Sequence, residues 1–280
     1  MAKQLLIYER AVPLSSVRHR SLYVKMGSDY RFSRDVSAVP VLEPEFAQAA
    51  MCYVLVFIGE GDEVMPAALL GIRAGQNAFL REDGGWDAAY IPAFVRQYPF
   101  VVSRREGDDD SFTLCIDDSY AGCNEEGRGE RLFDADGERT AFLRQMVAWT
   151  GEYQGQFHRT KRFSAKLRNL GLLVPMEARV RVRSGEDVAL SGFMAVDRNR
   201  LAELTGDQLA DLMREGELEL VYQHLMSLRN IESLAARDPE TPASDGQGTP
   251  DSEIAKDTGA SDAANQAGAS GSDAGMAQDR

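Results

Sequence analysis

AFLRQMVAWTGEYQGQFHRTKRFSAKLRNL, residues 141–170, is the stretch on which the fold class turns. Phe142, Met146, Trp149, Tyr153 and Phe157 recur at steps of four, three, four and four, and Leu167 and Leu170 prolong the series. Apolar residues at that spacing line one face of an amphipathic helix. Gly171 stands where a left-handed C-terminal cap belongs, and Pro175 follows shortly after. Gly151 and Gly155 each weaken the helix by about 1 kcal/mol relative to alanine, which leaves room for a bend there.

Upstream of this helix the pattern is that of strands and turns. Val39 to Leu42 leads into a short helix over Glu45–Met51, with Pro44 suited to its first turn. Tyr53-Val54-Leu55-Val56-Phe57-Ile58 is apolar on both faces, as a strand buried on both sides must be. Pro66–Ile72 reads as the next strand. Asn77–Leu80 with the Asp83-Gly84-Gly85 turn reads as part of a hairpin, and Phe100–Val102 as the partner of Phe112–Ile116. Downstream, Ala178–Arg183 alternates like a half-exposed strand and Val188–Val196 follows it. Asp197 is placed to cap a helix over Arg198–Leu204, and Thr205 with Gln208 forms a capping box that opens a second helix over Asp207–Glu215. Gly216 ends that helix. Leu218–Leu234 is expected to be the last one, with Leu218, Val221, Leu225, Leu228 and Ile231 inward. The expected class is α+β: an antiparallel, β-rich N-terminal part with short helices, a long amphipathic helix, then two strands and a C-terminal helical segment.

The 280 residues carry a net charge of −13, with 44% hydrophobic and 8% aromatic side chains. From Asp238 to Arg280 there are nine acidic and two basic residues in a background of Ala, Gly, Ser, Asp, Pro and Thr. Ile254 and Met276 are the sizeable apolar side chains there, too few to offset the entropy of ordering. Residues 1–237 are therefore expected to form one domain and 238–280 an acidic disordered tail. A body that is itself mildly acidic argues against a nucleic-acid partner, which needs a basic surface. Cys52, Cys115 and Cys123 are odd in number and without CxxC spacing, which fits reduced thiols. The N-terminal apolar run is too short for a standard export signal, and nothing approaches the roughly 18 apolar residues of a membrane span. The expected protein is soluble and cytoplasmic, with export by a signal-independent route as the alternative.

Two groups of residues stand out as a candidate ligand site. One is the run from Trp86 to Phe100, with Pro92 near a helix start and Pro99 at its stop and five aromatics, Trp86, Tyr90, Phe94, Tyr98 and Phe100, along it. Its readings are a packed aromatic cluster or an aromatic-walled pocket for an apolar or peptide ligand. The other is His224, Ser227 and Asn230, which step by three along the last helix with His224 facing inward. A histidine there is a base, a ligand or a satisfied core group. His19 and His158 lie in other elements, so no metal site is expected. No nucleophile elbow, phosphate loop or dinucleotide fingerprint is present, and no cofactor or catalytic residue is assigned. Phe133–Glu138 reads as a tight turn: the position twelve from Asp134, where a calcium loop needs glutamate, is Gln145. The basic run His158, Arg159, Lys161, Arg162, Lys166 and Arg168 reads as the solvated face of the long helix.

Several of these segments together resemble the SapC family. They are Trp86–Pro92 with Tyr98-Pro99-Phe100; Leu114-Cys115-Ile116-Asp117; Arg131–Asp134 with Asp136-Gly137; Phe163–Leu173; and Tyr222–Asn230. They fall in order over nearly all of residues 1–237. The resemblance implies a bacterial protein from a family named after a surface-layer system, and it brings no catalytic residues. The preferred reading is a non-enzymatic accessory protein that binds a peptide or protein. The alternatives are an enzyme whose site uses His224 with a carboxylate from elsewhere in the fold, and a surface-layer-associated structural protein.

Overall fold

In the computed structural model residues 6–105 and 108–238 are described. The chain opens with β1 (Ala11–Pro13), β2 (Tyr23–Val24) and β3 (Ala38–Pro40), followed by α1 (Phe46–Cys52), β4 (Val54–Ile58), β5 (Met65–Leu69) and the single turn α2 (Ala93–Arg96). Next come β6 (Phe100–Arg105), β7 (Asp108–Asp117), the short strands β8 (Cys123–Asn124) and β9 (Glu130–Arg131), and the long α3 (Ala141–Asn169). Then follow β10 (Leu173–Arg181), β11 (Asp187–Val196), α4 (Arg198–Ala202), α5 (Gly206–Arg214), α6 (Glu217–Ser227) and α7 (Ile231–Ala235). The fold is α+β. Among the described residues no helix is long and apolar enough to cross a membrane.

The apolar run at 54–58 becomes β4, in the middle of a five-stranded antiparallel sheet ordered β10-β11-β4-β5-β3. Val54, Leu55, Val56 and Phe57 are all buried, which is why the run shows no alternation. A second sheet, β1-β7-β6, pairs Phe100 with Ile116 and Val12 with Ile116 on its other side. The third, β8-β2-β9, is a small three-stranded patch.

β10 starts at Leu173, five residues before the alternating stretch, and runs straight through Pro175. Proline is tolerated because β10 is the outer strand of its sheet, where no neighbour needs its missing N–H. A register shift between Met176 and Ala178 adds a bulge. The hairpin expected around residues 77–85 reduces to one bridge, Leu80 opposite Trp86. The last helix is interrupted: α6 passes into a 3-10 turn at Leu228–Asn230 before α7.

α3 runs unbroken for 29 residues, about 43 Å at 1.5 Å per residue. The helix is continuous through Gly151 and Gly155, and a Cβ at either would meet nothing within 4 Å. Thr140 caps its start by accepting the N–H of Leu143. Its most buried line is Leu143, Thr150, Tyr153, Thr160, Phe163 and Leu167. The two threonines fit there because each hydroxyl bonds back to the helix, Thr150 to Met146 O and Thr160 to Gln156 O, both at 2.8 Å. Phe142, Met146, Trp149 and Phe157 consequently lie half-buried at the margins.

The basic run on α3 is not simply solvated. Arg159 pairs with the buried Glu43 at 2.6 Å, Lys161 with Glu63, and Lys166 with both Asp211 and Glu217. Each partly exposed pair contributes little by itself. Together they fix α3 against the segments on either side of it in sequence. The disordered tail expected from 238 lies outside the described residues, except Asp238, which is buried and pairs with Arg73 at 3.2 Å.

Phe163 is the apolar counterpart of these contacts. It is fully buried, with ring centroids 6.1 Å from Phe46 and 6.2 Å from Phe57. Phe163→Ala is expected to cost about 3–5 kcal/mol, read as a lowered urea midpoint. A loss under about 1 kcal/mol would mean that this ring does not hold α3 to the sheet.

Candidate functional site

α6 carries His224 and Ser227 into the core, where both are fully buried. His224 Nδ1 lies 2.9 Å from Leu55 O, and its Nε2 accepts the N–H of Val196 at 3.0 Å. An acceptor at Nε2 must be unprotonated, so the proton of the neutral ring sits on Nδ1 and is donated to Leu55. Ser227 Oγ donates to His224 O at 2.6 Å and accepts the N–H of Leu55 at 3.0 Å. Asn230 Nδ2 donates to the carbonyls of Ala50 and Tyr53, both at 2.8 Å.

The reason lies in the sheet. β11 and β4 pair directly at Met194 and Phe57. Two residues further along that register Leu55 comes opposite Val196, and there the imidazole spans the two backbones. Burial, opposed only by the bond to Leu55, pushes the His224 pKa down to about 4. Both ring nitrogens are engaged by backbone, so neither is free to serve a substrate.

The aromatic run divides in the same way. Trp86 is buried, and its indole N–H donates to Tyr53 Oη at 2.8 Å. Tyr90 Oη donates to Glu45 Oε1 at 2.8 Å, and the Arg96 guanidinium lies 5.6 Å above the Tyr90 ring. Glu45 also accepts the N–H groups of Ala93 and Leu42, so both oxygens of this buried carboxylate are engaged. Phe100 is fully buried beside Val24, Ile116, Leu132 and Leu143. Tyr98, joined to Pro99 by a cis peptide bond, stacks on Phe32 at 4.0 Å and meets Tyr120 edge-on at 5.3 Å. Burial raises the phenol pKa of Tyr90 and of Tyr98, so both remain protonated donors.

Tyr98 lines a concavity. With Tyr30, Phe32 and Tyr120 it walls a recess of about 170 Å³, rimmed by the exposed Met26, Gly27, Asp29 and Arg96. Trp86 stands one ring behind, edge-on to Tyr30 at 5.7 Å. Tyr90 is linked to the rim through Arg96, whose Nη2 donates to its hydroxyl at 3.3 Å. Phe100, His224, Ser227 and Asn230 do not line it. Sequence reasoning missed Tyr30, Phe32 and Tyr120: Phe32 sits in a single 3-10 turn, Arg31–Ser33, and the other two in irregular backbone, where no period marks a side chain's direction. A larger, open cleft of about 790 Å³ lies where Leu14–Ser16, Phe112–Leu114 and the first turns of α3 meet. It too lacks a sequence signature.

Other reactive groups are muted. The three cysteines are free thiols. Burial raises the pKa of Cys115 and, with help from Asp118 and Asp117, lifts Cys123 to about 11, so neither is a ready thiolate. Among the described residues no group of three or more His, Cys, Asp or Glu is arranged to hold a metal ion.

The SapC family model matches residues 14–234, most of the chain. No curated protein and no solved structure shows a match.

The His224 bridge has a pH signature. Its folded-state pKa of about 4 lies below the ordinary 6.5, so the unfolded chain takes up the proton first as pH falls. The contribution is complete above about pH 6.5 and is lost towards pH 4, a change of roughly 3 kcal/mol. Urea unfolding between pH 7.5 and 4.5 is expected to show stability falling over that window, and His224→Gln should shallow the slope by close to one proton. An unchanged slope in that variant would contradict a neutral, buried bridge.

Proposed function

The chain belongs to the SapC family, and on that premise we propose that it acts as a non-enzymatic accessory protein that holds a partner protein by a single side chain. The observation that carries this reading is the convergence of Tyr30, Phe32, Tyr98 and Tyr120, from three separate segments, on one recess open to solvent. Aromatic walls give large contact area at little cost in side-chain ordering, and they suit an apolar or ring-bearing residue of a partner. The recess holds one side chain rather than a free polypeptide. Trp86 and Tyr90 support the wall and the rim from behind. The engaged ring nitrogens of His224 and the raised thiol pKa values of Cys115 and Cys123 favour binding over catalysis.

Gly27 offers a clean way to close the recess. A Cβ there would meet Asp29 N and Tyr120 Oη only at 3.9 Å, ordinary contact distance. Gly27→Phe is expected to fill the mouth while changing stability by no more than about 0.5 kcal/mol. With a photo-crosslinking residue in place of the exposed Met26, irradiation in the source cells should give a discrete adduct with one protein, and Gly27→Phe in the same chain should remove it. An adduct that survives the plug would exclude the recess as the point of attachment.

A further inference from the structure

The larger cleft owes its shape to a strand that ends early. β1 covers β7 from Asp117 to Cys115, and Leu14 adds one more bond, its N–H donating to Leu114 O at 2.9 Å. The chain then turns away, with His19 N–H bonding back to Ser15 O. In this ladder the even-numbered residues of β7 face β1 and the odd-numbered ones face β6, as the bond from Asp117 N–H to Pro99 O shows. The N–H and C=O of Phe112 therefore point along the edge that β1 no longer covers. Phe112, Leu114 and Ile116 share one face of the strand. Ile116 is fully buried beside Leu143 of α3, whereas Phe112 is 39% exposed. The cleft thus continues the core outward between β7 and α3 and is bordered by the Phe112 backbone, which has no partner on this edge among the described residues.

We propose that this cleft takes a short extended segment of a partner protein, which adds beside β7 as the next strand and lays a carboxylate against Arg139 and Arg144. This is a second site, independent of the recess at Tyr98. A segment running as β1 runs would place an alternate apolar side chain between Phe112 and Val147 of α3, which both line the cleft. Arg139 and Arg144 are exposed at its wall, and neither has a carboxylate partner among the described residues. Glu138 is the single acid in the lining, so the wall is net basic.

The test uses the full chain and two fluorescent peptides of about nine residues, alternating valine and threonine, one with two glutamates at its N-terminal end and the other with two lysines there. The glutamate peptide should bind with a Kd on the order of 10 μM, and the lysine peptide about tenfold more weakly. Reversing both charges, Arg139→Glu with Arg144→Glu, should invert the preference. N-methylation of alternate peptide amides, which leaves the protein untouched, should cost at least about tenfold. Phe112→Pro removes an edge donor without touching the bonds to β6, and it should abolish binding while circular dichroism shows the fold intact. The proposal is overturned by no binding of either peptide up to about 1 mM, by equal affinity for both, or by indifference to N-methylation. Concentration-dependent dimerisation that Phe112→Pro abolishes would likewise overturn it, since the edge would then serve a second copy.

Discussion

One residue of β4, Leu55, has both backbone polar groups satisfied by side chains of a helix instead of by a neighbouring strand. Its C=O receives the imidazole N–H of His224 and its N–H goes to Ser227 Oγ. An unpaired backbone group in so dry a place costs as much as a lost hydrogen bond. The five-stranded sheet is in effect two antiparallel pieces, β10-β11 and β4-β5-β3, joined by one register contact and by this imidazole. Phe57 packs against both His224 and Phe163, so the same join seats α6 and α3. The polar ridge on α6 is thus a seam between strands, and it also accounts for the interruption of that helix: Ser227 and Asn230 bond to β4 and α1 where a continuous helix would present another turn.

How much of this was legible beforehand depended on whether a residue's role was decided locally. Tyr53–Ile58, the α3 period and the Thr205–Gln208 capping box were readable because burial on two faces, amphipathicity and capping are all local rules. The inward direction of His224 was readable for the same reason. Its task was not, because that required knowing that β4 and β11 diverge, a fact of tertiary geometry. Thr150 and Thr160 lie outside the apolar period, although back-bonding to the preceding turn makes a threonine acceptable on a buried line. The basic run on α3 was read by charge alone, while its carboxylate partners come from two 3-10 turns and two helices far away in sequence.

The sites follow the same division. Trp86, Tyr90 and Tyr98 are neighbours in sequence, yet each finds a different partner: Tyr53, Glu45 and Phe32. The recess is finished by Tyr30, Phe32 and Tyr120, which the fold gathers from irregular segments and one 3-10 turn. A surface built from loop residues on a rigid sheet is a common arrangement for recognition, and here the rigid part is held by hydrogen bonds between core side chains and backbone. The family match over residues 14–234 spans both the recess and the seam.

The outer border of β10 combines a proline, a bulge and an alternation of exposed Glu177, Arg179 and Arg181. Each of these discourages one molecule from zipping onto the next. A solution of this protein should therefore resist fibre growth along its largest sheet even when crowded, because the flank most capable of templating has been made unattractive to its own kind.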